Sequence, residues 1–307
     1  MRRHPAVLLA AAALFWAGNS VVARAMRGHV PPVGLAFWRW MLALVILLPL
    51  YGRGVVAARG ALRARSGVVA AMGVLGVGCF NLFLYLGLQR TTATNAMLLT
   101  ATGPSFILLL SAAAGLGRPT LRTAAGVLVS ATGILVILSG GDPEALRSLR
   151  VNPGDLWVLA AVVAWSAYTV LLPRSPPGVP PMVLLTVLVA VGTAFVAPFY
   201  AWEIARGLRV KADLATAGAV AYVGLLASVA AYAAWNAGVA AAGPGRAGVA
   251  LNLIPAFGTV LAVVVLGEPF RAVEGAGILL IGAGVVLVQF PVRRASPVAP
   301  PGERPRV

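Results

Sequence analysis

The segment TNAMLLTATGPSFILLL at residues 94–110 has a counterpart later in the chain, GRAGVALNLIPAFGTVL at residues 245–261. Aligning the two segments places Pro104 opposite Pro255, at an offset of 151 residues. Neither segment contains an acidic residue, and each belongs to an apolar stretch of about 20 residues, the length of helix that crosses a hydrocarbon layer of roughly 30 Å. The pair therefore predicts two related membrane helices, each with a proline inside it.

The same offset recurs along most of the chain. ALFWAGNS at residues 13–20 aligns with VVAWSAYT at residues 162–169, which places Trp16 opposite Trp165. Other residues align at offsets of 149 to 151, namely Pro31 with Pro180, Pro32 with Pro181, Gly117 with Gly267, Gly126 with Gly277 and Gly133 with Gly284. Because these matches keep one order and nearly one spacing, they predict an internal duplication.

The composition excludes a soluble fold. Of the 307 residues, 60% are hydrophobic and 10% are charged, whereas soluble domains are about 45–50% apolar and about 25% charged. The net charge of +16 would suggest a nucleic-acid partner for a soluble protein, but here the arginines lie between long apolar stretches. We therefore expect an integral membrane protein that contacts the lipid bilayer and binds no nucleic acid.

Ten apolar stretches predict ten transmembrane helices, at residues 6–26, 33–52, 68–89, 93–115, 121–140, 154–173, 179–202, 214–240, 246–267 and 272–290. A membrane β-strand needs only about ten residues of alternating polarity, so these stretches favour an all-α fold. The first stretch follows Arg2 and Arg3 as in a signal peptide, but its length favours a membrane helix. Five stretches fall in each half, residues 1–147 and 148–292. Since five is odd, the sequence predicts two inverted five-helix repeats.

The distribution of basic residues predicts the orientation in the membrane. With both termini in the cytoplasm, fourteen basic residues lie on the inner side and nine on the outer side. The positive-inside rule favours this orientation in a bacterial inner membrane. Residues 293–307 are rich in proline and arginine, which predicts a disordered cytoplasmic tail. The oligomeric state stays open between a monomer and a homodimer.

Side chains for catalysis or metal binding are missing from the predicted helices. No Asp, Glu, His or Lys lies well inside an apolar stretch, and His4 and His29 lie near stretch ends without metal-ligand partners. Cys79 is the single cysteine. The GxxGxG at residues 73–78 has no strand before it, so it predicts close helix packing and not a nucleotide site. The sequence therefore predicts no enzyme, no cofactor and no metal.

Uncharged polar and aromatic side chains occur at helical spacing, which is typical of a pocket for an amphipathic solute. Trp16 and Asn19 lie one turn apart, and their counterparts in the second half are Trp165 and Tyr168. The predicted cavity lining comprises Trp16, Asn19, Asn81, Tyr85, Trp165, Tyr168, Tyr232, Trp235 and Asn252. The alternative interpretation is that these side chains hold helices together.

Arg39 is the one charge well inside a predicted span, six residues after Val33 and hence roughly 9 Å deep at about 1.5 Å per residue. Its side chain can extend to the interface, which is a structural role, or contact the carboxylate of a substrate. Tryptophans near span ends favour an interfacial belt, and these are Trp38, Trp40, Trp157 and Trp202.

The two aligned prolines predict moving parts. A proline inside a helix removes one backbone hydrogen bond and leaves a pliable point. Pro104 and Pro255 are therefore predicted hinges, and Asn252 lies one turn before the second of them.

The repeated tryptophans and prolines, together with the ending GEPFRAVEGAGILLIGAGVVL at residues 267–287, resemble the drug/metabolite transporter superfamily with EamA-type repeats. Within it the chain is most similar to the YddG-type exporters of aromatic and other amino acids. The first half departs from the pattern, because Arg118 stands where the second half has Glu268.

This resemblance implies a transporter that exports amino acids and other small amphipathic metabolites by alternating access. Since proton-coupled carriers generally relay charge through buried acids or histidines, the sequence favours a facilitator without ion coupling. The alternative is a proton-coupled exporter of cationic drugs or other small metabolites, which would need a carboxylate in its pocket.

Overall fold

The structure is a computed structural model, and it describes residues 4–26, 30–91, 93–117, 119–147, 152–266 and 270–289. Within these residues every regular element is helical, and eight helical segments are long and apolar enough to cross a membrane. The predicted all-α membrane class is therefore confirmed. The count of ten spans stays a prediction, because the apolar parts of two further helices, Pro5–Asn19 and Gly103–Ala113, are shorter. The predicted tail, residues 293–307, lies outside the described residues.

The helices that build the bundle around the cavity are labelled α1 to α12. In the first half they are α1 (Pro5–Ala25), α2 (Pro32–Ala57), α3 (Ser66–Leu88), α4 (Ala93–Thr100), α5 (Gly103–Ala113) and α6 (Leu121–Ser139). In the second half they are α7 (Pro153–Leu171), α8 (Pro181–Ala205), α9 (Leu214–Ala242), α10 (Pro244–Gly248), α11 (Leu253–Leu266) and α12 (Ala272–Gln289). Two short helices, Arg59–Ala64 and Pro143–Arg147, lie between longer ones.

Two predicted spans are not uniform α-helices, although the second still forms one helical segment long enough to cross a membrane, Pro244–Val265. The stretch at 93–115 is divided by a turn at residues 101–102 into α4 and α5. The stretch at 246–267 is divided by the 3₁₀ turn Val249–Asn252 into α10 and α11. A continuous apolar pattern cannot reveal such breaks, because an interrupted helix buried among its neighbours keeps the same hydrophobicity.

The helix starts follow from local chemistry. Pro32 and Pro181 stand in the first turn of α2 and α8, where the missing backbone N–H would have no partner within the helix. Asn152 and Asp155 form a capping box at the start of α7. The two prolines place helix starts at aligned positions in the two halves.

The last helices of the two halves, α6 and α12, pack closely through glycines. A Cβ on Gly126 would stand 2.7 Å from the carbonyl oxygen of Gly284, and one on Gly133 would stand 2.6 Å from that of Gly277. The two helices are therefore antiparallel. In the sequence alignment Gly126 pairs with Gly277, so the contacts are crosswise, as they are across a two-fold axis.

The same crosswise relation holds between the helices around the centre. Gly87 of α3 packs against Val158 of α7, and Gly238 of α9 packs against Leu9 of α1. The second contact follows from the first by adding 151 to one residue number and subtracting 149 from the other. Because α1 contacts α9 as α7 contacts α3, each half supplies the packing partner of the other.

Both α3 and α9 contain a π-helical segment, Gly73–Cys79 in α3 and Val223–Ala230 in α9. The two segments lie at aligned positions of the halves. A π turn is wider than an α turn and is found frequently at functional sites. The π-helical segments position the backbone carbonyls of Gly76 and Ala227, which accept hydrogen bonds from residues around the cavity.

Candidate functional site

A cavity of about 740 Å³ lies between the two halves. Its volume falls within the range of about 300–1,000 Å³ that is usual for small-molecule sites. The lining extends to the end of the bundle where α1 and α3 end and α12 begins, at Met26, Gln89 and Glu274. Seven of the nine predicted lining residues face it, namely Trp16, Asn19, Asn81, Tyr85, Trp165, Tyr232 and Asn252.

The rings of Trp16, Phe80, Trp165 and Tyr232 form an aromatic floor in the cavity. The centroids of Trp16 and Trp165 are 5.1 Å apart with the planes at 88°, and those of Trp165 and Tyr232 are 5.3 Å apart at 84°. Edge-to-face pairs of this kind stabilise the cluster by about 0.5–1.5 kcal/mol each beyond the burial of apolar area. Phe80, which the sequence analysis missed, adds a ring 5.0 Å from Trp165.

Two predicted lining residues, Tyr168 and Trp235, are not among the lining residues of this cavity. Both are fully buried, and their ring centroids lie 5.1 and 5.6 Å from that of Trp165. The Tyr168 hydroxyl donates a hydrogen bond of 2.6 Å to Oδ1 of Asn236. These side chains therefore lie behind the aromatic floor, away from the cavity. Helical spacing predicts which face of a helix a residue occupies but not how deeply it is buried.

Carbonyls of the π-helical segments hold the floor in place. Nε1 of Trp16 donates to the carbonyl of Ala227 at 3.0 Å, and the hydroxyl of Tyr232 donates to the carbonyl of Gly76 at 2.6 Å. Gly76 and Ala227 occupy aligned positions, 151 residues apart. A Cβ on Gly76 would stand 2.5 Å from the ring of Tyr168, so this glycine also permits close packing.

Arg39 is buried in the cavity wall, with only 2% of its surface exposed. Nε donates to the hydroxyl of Ser228 at 2.8 Å, and Nη2 donates to the carbonyl of Ala227 at 3.2 Å. Nη1 donates to Oδ1 of Asn81 at 3.0 Å and to the hydroxyl of Tyr85 at 3.2 Å. Of the two roles that the sequence left open for Arg39, extension to the interface is not what the structure shows, because neutral acceptors hold the side chain inside the bundle.

Three polar atoms of the lining residues have no hydrogen-bond partner among the described residues. They are Nε1 of Trp165, Oδ1 of Asn19 and Oδ1 of Asn252. The other end of the Asn252 amide is fixed, because Nδ2 donates to the hydroxyl of Ser130 at 2.5 Å. A buried polar atom without a partner is costly, so a ligand that pairs with these atoms would gain free energy.

The two predicted hinge residues lie at helix starts and not in the middle of helices. Pro104 is buried in the first turn of α5, and Pro255 is the third residue of α11, where it lines the cavity. The breaks precede them, at residues 101–102 and Val249–Asn252. The hinge role itself stays a prediction.

Three of the four tryptophans assigned to an interfacial belt are at least partly exposed on the bundle surface, namely Trp38, Trp157 and Trp202. The assignment of Trp40 is wrong. Its side chain is fully buried, and its ring centroid lies 5.0 Å from that of Tyr232. Trp40 follows Arg39 directly, and burial of the guanidinium 4.9 Å from the Trp40 ring accompanies burial of the indole.

Two acidic side chains, Glu203 and Glu274, lie in end turns of their helices near the cavity end of the bundle. Glu203 is buried in the last turn of α8 and accepts hydrogen bonds from the backbone N–H groups of Val33 and Gly34 at the start of α2. Glu274 lines the cavity in the first turn of α12 and pairs with Arg271 at 3.0 Å. Both carboxylates therefore already have partners.

The sequence matches the model of the "EamA-like transporter family" over residues 4–139 and 152–290. An uncharacterized transporter of Archaeoglobus fulgidus is 30% identical over 92% of this chain and 96% of its own length. A probable terminal-alkyne amino-acid exporter of Streptantibioticus cattleyicolor is 29% identical over 77% of this chain and 78% of its own length. A probable amino-acid metabolite efflux pump of Salmonella typhimurium is 24% identical over 97% and 100%.

The fold itself is similar to that of a solved crystal structure. The two agree with a TM-score of 0.76, over 94% of this chain and 96% of the other, at 24% sequence identity. This similarity concerns the arrangement of the helices alone.

Proposed function

Because this chain belongs to the EamA-like transporter family, a family of multi-span membrane transporters and not of enzymes, we propose that it exports amino acids and similar small amphipathic metabolites across a bacterial inner membrane. The observation that carries this proposal is the cavity between the two halves, which combines an aromatic floor with unpaired amide and indole atoms. An amphipathic solute needs both kinds of surface.

The names of two relatives support the substrate class and the direction. One is named an amino-acid exporter and the other an amino-acid metabolite efflux pump. A solute with an apolar side chain and a polar backbone fits a cavity that combines aromatic rings with three polar atoms that have no partner among the described residues. The oligomeric state, monomer or homodimer, stays a prediction.

We further propose that the ten predicted spans form two inverted repeats that exchange roles during transport. The antiparallel packing of α6 and α12 supports this arrangement, since equivalent helices of inverted repeats run in opposite directions. The crosswise glycine contacts and the two matched segments of the family model, one in each half, support it as well.

Coupling to protons is not part of this proposal. The acids near the cavity, Glu203 and Glu274, lie in end turns of their helices and have partners there. We therefore propose facilitated diffusion by alternating access, with both termini in the cytoplasm and the cavity open to the outer side. The other candidate, a proton-coupled exporter of cationic drugs, would need a carboxylate deep in the cavity.

Flux into proteoliposomes tests the proposed function. Purified protein is offered amino acids, nucleosides, sugars and quaternary ammonium compounds, and we expect flux of apolar and aromatic amino acids down their gradients. A pH gradient should not drive accumulation of a zwitterionic amino acid. Flux of quaternary ammonium compounds alone, or uphill transport under a pH gradient, would contradict the proposal.

A further inference from the structure

Arg39 is a buried cation without a counter-ion among the described residues. Its acceptors are a serine hydroxyl, an amide oxygen, a phenol and a backbone carbonyl, all of them neutral. Burying a charge is costly unless an opposite charge compensates it. The wall of the cavity therefore carries a positive charge that an anion in the cavity would balance.

The described acids are all engaged elsewhere. Hydrogen bonds or ion pairs within the chain occupy every one of them, namely Asp142, Glu144, Asp155, Glu203, Asp213 and Glu274. Among the described residues, no carboxylate lies within 4.0 Å of the Arg39 nitrogens. A counter-ion from within the described chain would require breaking one of those contacts.

Arg39 and Tyr85 retain hydrogen-bond donors for such an anion. Four of the five guanidinium N–H groups are used, so one proton on Nη2 has no acceptor among the described residues. The Tyr85 hydroxyl accepts from Nη1, which leaves its own proton without an acceptor in the described structure. Both side chains line the cavity, so these two donors can serve one carboxylate.

Near the aromatic floor the described lining offers an ammonium group neutral partners only, namely aromatic ring faces and amide oxygens. Asn19 and Asn252 offer neutral amide oxygens, which accept a hydrogen bond from an ammonium group and equally from an amide N–H. The aromatic rings of Trp16 and Trp165 line the same cavity and can pack against the apolar part of a ligand.

We propose that Arg39 and Tyr85 form a carboxylate site, and that the cavity takes small monocarboxylates with an apolar or aromatic body, with or without a free amino group. Amino acids bind through the carboxylate, and N-acylated amino acids bind at least as well. Derivatives without the carboxylate bind more weakly. This inference rests on the proposed transport function and specifies its substrate class.

Three forms of one amino acid test the inference on the full-length protein. L-Phenylalanine, N-acetyl-L-phenylalanine and L-phenylalanine amide share the ring but differ in the carboxylate and the amine. We expect the N-acetyl form to compete for phenylalanine uptake at equal or lower concentration, and the amide to need about tenfold more or worse. Thermal stabilisation of the detergent-solubilised protein by each compound gives a second readout that does not depend on flux.

Two variants and a control test whether Arg39 and Tyr85 cause the preference for a carboxylate. R39Q should weaken both carboxylate compounds about tenfold or more and leave the amide unchanged. Y85F keeps the arginine and removes only the phenol, so it should weaken the same two compounds by a smaller factor. R206Q removes an exposed arginine that lies 4.1 Å from the Trp202 ring, away from the cavity lining, and should change none of them.

The outcomes separate this inference from the transport function. If the wild-type protein binds the amide as well as phenylalanine, or if Y85F and R39Q weaken all three compounds equally, the carboxylate site is wrong while amino-acid transport stands. If R39Q does not fold, Y85F decides. If the protein moves other solutes of the panel but neither moves nor binds any form of phenylalanine, both proposals fail.

Discussion

Trp165 and Trp235 provide a matched pair of residues on the two sides of the aromatic floor. Both side chains are buried and both have an indole nitrogen without a partner in the described structure, but only Trp165 lines the cavity. If the unpaired nitrogen serves a ligand, replacing the tryptophan by phenylalanine should matter on one side only.

The first prediction compares W165F with W235F. W165F should raise the apparent KM for the preferred amino acid about three- to tenfold, because a net hydrogen bond contributes about 0.5–1.5 kcal/mol. W235F should change the KM little and alter only thermal stability. Equal KM changes in the two variants would indicate that the indole nitrogen of Trp165 has no role in binding.

The sequence predicted the identity of the floor residues better than their depth. Trp16 and Trp165 were found because they align in the repeat. Tyr168 and Trp235 were misplaced because periodicity cannot tell which side of a ring cluster is open. The position of the Arg39 guanidinium depends on the carbonyl of Ala227 in a π-helical segment. The sequence analysis found no residue pattern that predicts this segment.

At the scale of elements, the interrupted helices are candidates for moving parts. Alanine at Pro104 or Pro255 would restore a backbone N–H in the first turn after each break, which allows the broken helix to become continuous. The prolines indicated these positions in the sequence, but the breaks that precede them became visible only in the structure.

The second prediction is that P104A and P255A each slow transport severalfold without lowering expression. P49A is the control, because Pro49 lies inside α2, is exposed and does not line the cavity. Initial flux in proteoliposomes measures the effect. Wild-type rates in both alanine variants would show that the prolines are tolerated features and not hinges.

The contact of α6 with α12 supplies the third prediction. In G133A the new methyl group would stand 2.6 Å from the carbonyl oxygen of Gly277 and 2.8 Å from the nitrogen of Ile281, so the helices must separate. We expect the midpoint of thermal unfolding to fall by several degrees, since overpacking costs about 1–3 kcal/mol. G282A on α12 meets nothing within 4 Å and should leave the midpoint unchanged.

At the scale of the whole molecule, the inverted arrangement gives the fourth prediction. Arg59 follows two predicted spans and Asp142 follows five, so cysteines at these positions should lie on opposite sides of the membrane. Membrane-impermeant reagents in a C79S background should label position 59 only after the cytoplasmic side is exposed. Labelling of both positions from one side would contradict inverted repeats.

The amide and phenol side chains of the two halves differ in their pairing. Asn19 aligns with Tyr168, and Tyr85 aligns with Asn236. Behind the aromatic floor Tyr168 donates to Asn236, and on the cavity side Oδ1 of Asn19 has no partner among the described residues. If the halves exchange conformations, the opposite-facing state pairs Asn19 with Tyr85 and opens the contact between Tyr168 and Asn236.

The fifth prediction follows from this exchange. Y168F removes one hydrogen bond from the observed state, worth about 1 kcal/mol, and should shift the population about fivefold toward the opposite-facing state. A cysteine at Leu88, which lines the cavity, should then be labelled more slowly in Y168F, C79S than in C79S alone. Y222F is the control, because that phenol donates to the carbonyl of Phe15 outside the exchanging pairs. Unchanged labelling in Y168F would mean that the contact between Tyr168 and Asn236 does not differ between the two states.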